Sequence, residues 1–255
     1  MTPLTGIRVL ITRPRGSGDD LREALEGRGV IVVEVPALEI QPPDDLSPLD
    51  SALAQLDHYH WIAFTSRNAV DFFLTRAEER RVAMPAPLRV AALGPSTAGF
   101  LGQRGMSVNC MPEEATAASL AREMARAGVA GCRVLIPCGD RSRPDLPDAL
   151  RAAGAEVTAI VAYRTAAVET DDRKKLAAAL TGGQVDVVAL ASPSALEGID
   201  AVLEGNLQPL RDVRLVCIGP TTAEAVRSAG LVPAATANPH TAAGLAAAIA
   251  GLFTE

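Results

Sequence analysis

The stretch IRVLITRPRGSGDDLREALEGRG, Ile7 to Gly29, returns about 125 residues later as CRVLIPCGDRSRPDLPDALRAAG, Cys132 to Gly154. Ten positions agree without a gap, among them Arg8/Arg133, Leu10/Leu135, Asp20/Asp145 and Gly29/Gly154. Working outward, WIAFTSRNAV from Trp61 answers VVALASPSAL from Val187, and ALGPSTA from Ala92 answers CIGPTTA from Cys217. Thr116 of ATAASLA likewise stands opposite Thr241 of HTAAGLA. A period this long means two similar folded units rather than a solenoid, whose repeats are far shorter. Two similar units commonly face each other across a cleft, where ligands bind.

Within each copy the pattern is strand, turn, helix. Short β-branched runs (Arg8–Thr12, Trp61–Phe64, Arg89–Leu93, Arg133–Pro137, Val185–Leu190, Arg214–Ile218) each end at a cluster of Gly, Pro, Ser or Thr. A stretch with helical spacing follows, as in Leu21-Ala24-Leu25 and Leu146-Ala149-Leu150. The alternation predicts an α/β fold with parallel sheets and crossover helices, and runs such as VVALA fit a sheet covered on both faces. Two long extended runs, Val30–Ile40 and Val157–Ala167, occupy the same place in each copy. They are expected to be linker strands, at about residues 30–40 and 157–167, pairing as the chain leaves one unit and returns. The domains would then be residues 1–37 plus 167–255, discontinuous, and 38–166, inserted.

At 255 residues and 48 % hydrophobic content, two ordinary cores can be built. The net charge of −6 and eight aromatics argue against a nucleic-acid groove or an anionic membrane as partner. No run approaches the roughly 20 apolar residues of a membrane span, and the start MTPLTGIRVLI lacks a secretory pattern. Cys110, Cys132, Cys138 and Cys217 form no CxxC, so they read as reduced thiols of a cytoplasmic protein. His58 and His60 lack a third ligand, and no metal site is expected.

In open parallel sheets ligands bind beyond the carboxyl ends of the strands, where helix N-termini offer free N–H groups. Six such ends are built from small hydroxyl residues, Gly and Pro. They are Thr12-Arg13-Pro14, Thr65-Ser66-Arg67-Asn68, Gly94-Pro95-Ser96-Thr97, Cys138-Gly139-Asp140-Arg141, Ser192-Pro193-Ser194 and Gly219-Pro220-Thr221-Thr222. Any one of them can be simply a helix cap; six of one character point to an anionic ligand. Arg13, Arg15, Arg141, Arg143 and Arg214 are the candidate carboxylate forks or else solvated loop charges. Arg15-Gly16-Ser17-Gly18 meets the dinucleotide fingerprint only in part. Tyr163 takes the place of Leu38 in the other copy, and its phenol can donate to a leaving hydroxyl or simply pack. Ordinary catalytic groups are scarce, so the protein either only binds or works through positioning and electrostatics.

Taken in order, VLITRP, WIAFTSRNAV, ALGPSTA, Glu114–Leu120, VAYRT (Val161–Thr165), LASPSAL, CIGPTTA and HTAAGL resemble the uroporphyrinogen-III synthase family over essentially the whole chain. That resemblance implies two flavodoxin-like domains joined by a two-stranded β linker. It implies cyclisation of the linear tetrapyrrole hydroxymethylbilane, with loss of water and inversion of ring D, and no cofactor. The substrate is a polycarboxylate, which suits the six loops. The family tyrosine matches Tyr163, and its binding loops match Thr65, Ser66, Asn68, Ser96, Thr97, Ser192, Thr221 and Thr222. Arg214 stands where some members have a Lys, and Arg13 is the remaining binding candidate. A monomer, touching at most the preceding pathway enzyme in passing, is expected. The competing readings are a non-catalytic two-domain cleft binder or regulator of an anionic small molecule, and a nucleotide enzyme.

Overall fold

A computed structural model describes residues 4–13, 20–168 and 170–253. The chain runs β1 (Arg8–Ile11), α1 (Asp20–Glu26), β2 (Ile31–Glu34), β3 (Leu38–Gln41), α2 (Ser47–Ala54), β4 (Trp61–Phe64), α3 (Arg67–Glu79), β5 (Arg89–Ala92), α4 (Pro95–Gln103) and α5 (Ala117–Arg126). It continues through β6 (Arg133–Gly139), α6 (Asp145–Ala152), β7 (Glu156–Ala167), α7 (Thr170–Thr181), β8 (Val187–Leu190), α8 (Pro193–Val202), β9 (Arg214–Cys217), α9 (Pro220–Ser228), β10 (Pro233–Thr236) and α10 (Ala242–Gly251). The chain divides into two compact units, Met1–Glu39 with Ala166–Glu255, and Ile40–Thr165.

The sheet of the first unit has the order β10-β9-β8-β1-β2 and that of the second β3-β7-β6-β4-β5. Substituting repeat partners (β6 for β1, β7 for β2, β4 for β8, β5 for β9) turns the core of one order into the other. Register follows: Val9 pairs Val187 where Val134 pairs Trp61, and Arg8 pairs Ile31 where Arg133 pairs Glu156. A bridge from Ala91 to Cys110 stands where β10 stands in the first unit. The second unit is therefore the first in circularly permuted order.

Successive strand residues point to opposite faces of a sheet, and both faces are covered. In the first unit Leu10, Val188 and Leu215 pack under α7, α8 and α9, while Val9, Val187 and Val216 pack under α1 and α10. In the second unit Ile62, Phe64 and Leu135 meet α2, α3 and α4, and Trp61, Ala63 and Val134 meet α5 and α6. Phe73, fully buried from α3, contributes about 1.5–3 kcal/mol by leaving water. The long run Val30–Ile40 is not one strand. Val35 N–H still donates to Ile11 and Ala37 N–H to Thr12, at 3.1 and 3.3 Å. Pro36 between them has no N–H to give, and the chain turns away there into β3, which belongs to the other sheet.

Candidate active site

In each sheet one pair of neighbouring strands sends its helices to opposite faces: β1 and β8 in the first unit, β6 and β4 in the second. The helices diverge from such a pair and leave a crevice at its carboxyl end, the usual ligand position in open α/β sheets. In the second unit the crevice is bounded by Thr65 and Ser66 after β4 and by Cys138, Gly139 and Asp140 of β6 and the turn beyond it.

Tyr163 lies in this crevice. β7 follows β6 in register to Cys138 opposite Val161, then slips by one residue, so that Tyr163 rather than Ala162 stands opposite Gly139. Asp140 fixes the slip from both sides: its N–H donates to Tyr163 O at 3.1 Å, and its carboxylate accepts the Thr165 N–H at 3.0 Å. The phenol oxygen then lies 3.3 Å from Ser66 Oγ, longer than a well-formed hydroxyl pair, so the contact steers the phenol without tying it up. Ser66 is also the N-cap of α3 and accepts the Ala69 N–H at 3.1 Å. With that lone pair used, Ser66 can give its own proton to the Tyr163 oxygen and leave the phenol O–H free for a ligand. The next two N–H groups of α3, Arg67 and Asn68, lie in a turn that makes no intrahelical bonds and carries the positive end of the helix dipole.

The other predicted residues divide by position. Thr65 is half-buried and Asn68 exposed at the same crevice, and Ser96 is exposed in the first turn of α4. In the first unit Ser192 caps α8 through Ala195 N–H at 3.2 Å, and Thr221 is exposed in the first turn of α9. Arg13, at the end of β1, pairs with Asp20 at 3.3 Å; Arg15 lies outside the described residues. Thr97 and Thr222, with 5 % and 2 % exposure, face into their own units and do not present hydroxyls to a ligand. Arg214 needs a larger correction. It opens β9, at the amino end of the sheet, with its guanidinium 4.6 Å from the centroid of Phe253. Its repeat partner Arg89 does the same over Trp61 at 5.0 Å. Both stack at the amino ends of their strands, opposite the carboxyl ends where the crevice lies.

His60 has a structural role too. Its Nδ1 accepts the Arg133 N–H at 3.0 Å, as the Asp186 carboxylate accepts the N–H of the repeat partner Arg8 at 2.8 Å. Among the described residues no cluster could hold a metal ion, and no helix is long and apolar enough to cross a membrane. Burial pushes the thiol of Cys138, beside the crevice, above its ordinary range and that of Cys217 up to about 11, so neither supplies a thiolate near neutrality. Sequence reasoning placed Gly139 in a strand end without its contact to Tyr163, and it missed Phe72. The Phe72 ring tilts against Tyr163 with centroids 5.9 Å apart, and the signal for it was its opposite number in the repeat, Gly198.

A protein-family model described as uroporphyrinogen-III synthase HemD matches residues 19–247. The chain is 32 % identical to the chloroplastic uroporphyrinogen-III synthase of Oryza sativa subsp. japonica, covering 88 % of this chain and 73 % of the relative. It is 29 % identical to the uroporphyrinogen-III synthase of Synechococcus elongatus, covering 86 % and 85 %. The crystal structure of uroporphyrinogen-III synthetase from Helicobacter pylori is similar in fold, with a TM-score of 0.63, 16 % identity and coverage of 96 % and 99 %. A mutant uroporphyrinogen III synthase from Thermus thermophilus aligns with a TM-score of 0.58, 17 % identity and coverage of 97 % of both chains.

Proposed function

This chain belongs to the uroporphyrinogen-III synthase family, a family of tetrapyrrole biosynthesis, and we propose that it closes hydroxymethylbilane to uroporphyrinogen III with Tyr163 as proton donor. Ionisation of the terminal hydroxymethyl group needs little help, because a pyrrole nitrogen stabilises the cation left behind. The C–O bond breaks, the Tyr163 phenol supplies a proton, and the oxygen departs as water. The substituted carbon of ring D then attacks the exposed methylene carbon, giving a spiro intermediate. That intermediate opens and recloses with ring D inverted. Loss of a ring proton restores aromaticity and balances the proton given by Tyr163.

Ring closure without guidance takes the unsubstituted carbon, so the enzyme's task is to hold the chain folded for the harder attack. The arrangement that carries the catalytic assignment is the phenol of Tyr163 beside Ser66 at the N-terminus of α3, where a departing hydroxyl meets a donor and a positive dipole end. Substrate carboxylates are assigned to the N–H and hydroxyl groups at the helix starts, at Thr65, Asn68, Ser96, Ser192 and Thr221, with Arg13 in reserve beside Asp20. The finer architecture is part of the same reading: two flavodoxin-like units whose chain crossings run along β3 and β7, in a cytoplasmic monomer that meets the preceding enzyme only transiently. No cofactor is required by this chemistry.

Incubation with hydroxymethylbilane and identification of the product isomer tests the activity. The type III isomer is expected, and type I alone overturns it. Tyr163→Phe is expected to lower kcat by about 10²-fold, at the modest end of general-acid effects because the leaving group is already labile. Undiminished turnover removes Tyr163 from the chemistry.

A further inference from the structure

We infer that Phe72 and Gly139 are positioning residues that together aim the Tyr163 hydroxyl; the inference rests on the reading of Tyr163 as proton donor. The repeat supplies the argument. Position 38 in the first unit corresponds to 163 in the second, and position 198 on α8 corresponds to 72 on α3. In the first unit these positions pack against one another: a Cβ added to Gly198 would lie 2.8 Å from Leu38 Cγ and from Ala37 O. In the second unit the same two positions are Phe72 and Tyr163, again in contact. The fold thus uses one strand-to-helix contact twice. Where a phenol has entered the crevice, the small helix residue is replaced by an aromatic ring that braces it.

Gly139 forms the opposite wall. Its φ lies outside the left-handed region, so glycine is not needed there for backbone conformation. It is needed for space: a Cβ at 139 would lie 2.7 Å from Tyr163 Cζ, 2.8 Å from Cε2 and 2.9 Å from the hydroxyl oxygen. Real Cβ atoms do not approach that closely, and a ring held by the strand slip at 138/139 cannot give way without swinging its hydroxyl off Ser66. Phe72 also lines a cavity of about 370 Å³, with Leu46, Leu49, Thr75 and Ala162. Once Phe72 is truncated, the phenol has room to leave its place. A donor that must reach one leaving oxygen loses rate steeply with misplacement.

The test combines kinetics with a spectroscopic probe. Phe72→Ala and Gly139→Ala are each expected to lower kcat at least tenfold with KM changed less than threefold, and Phe72→Tyr to recover most of the rate. In the Tyr163→Phe background Phe72→Ala should cost nothing further, since the hydroxyl it aims is gone. An equal additional loss there makes Phe72 merely structural and overturns the proposal. Fluorotyrosine incorporated in a Tyr59→Phe protein gives one ¹⁹F signal, from residue 163. That signal should shift or broaden in Phe72→Ala, and an unchanged signal overturns positioning outright. If the signal moves while Tyr163→Phe retains full activity, positioning stands and the catalytic reading of Tyr163 falls. Thermal unfolding of each variant identifies any that fail to fold, and Phe72→Leu then takes the place of Phe72→Ala.

Discussion

At Ser66 one hydroxyl serves two structures. It closes the first turn of α3 by accepting the Ala69 N–H and also touches the Tyr163 phenol, whereas Ser192 in the other copy caps α8 in the same way with another serine, Ser194, at 2.9 Å. Ser66→Ala and Ser192→Ala are therefore expected to lose similar stability, about 1 kcal/mol each, as helix caps do, while Ser66→Ala has the larger effect on kcat. Parallel denaturation and rate measurements on the two variants check this. Asp186 gives a second prediction. Side-chain hydrogen bonds from Arg8, opposed in part by burial, hold its carboxyl below the usual carboxylate range. A depressed acid stabilises the fold above its unfolded pKa, and that contribution disappears as pH falls through the folded value. Asp186→Asn should thus have a lower unfolding midpoint than the parent at pH 7, with the two curves converging below about pH 4, the unperturbed range of Asp.

The elements were legible to the degree that their signals are local. Val134 meets Trp61 in the register that Val9 keeps with Val187, and the continuous burial along those apolar strands is what a sheet covered on both faces demands. What stayed hidden depends on rotation and distance. Ser96 and Thr97, like Thr221 and Thr222, are neighbours about 100° apart around a helix. The second of each pair turns inward, and the sequence does not state where the first turn begins. Arg214 stands only five residues before Gly219 in sequence, yet a strand advances about 3.3 Å per residue, enough to carry it to the wrong end of the sheet. Pro36 could have been read as a stop inside Val30–Ile40, since it removes a donor that a central strand needs. Gly139 stood in a predicted strand end, but its role was hidden because the ring it makes room for, that of Tyr163, lies across the sheet and not nearby in sequence. At this scale Gly198→Leu is expected to destabilise the first unit by about 1–3 kcal/mol, as overpacking does, measured by chemical denaturation.

Across the molecule, each unit has its own sheet with two apolar faces, so stability is assembled twice. Leu10→Ala in the first and Leu135→Ala in the second, both fully buried, are each expected to cost about 2–5 kcal/mol. Hydrogen exchange should locate the first loss of protection among β1, β2, β8 and β9, and the second among β4, β5, β6 and β7. The permuted strand order has a bearing on ancestry. A gene for one such unit, doubled head to tail, encodes this connectivity directly, provided the later strands of each copy complete the sheet begun by the other. The exchange between the copies falls where β3 and β7 run side by side, so the chain leaves one sheet and returns to it at neighbouring points. No long detour was needed to share strands in this way, and the second copy was free to acquire the tyrosine that its twin never received.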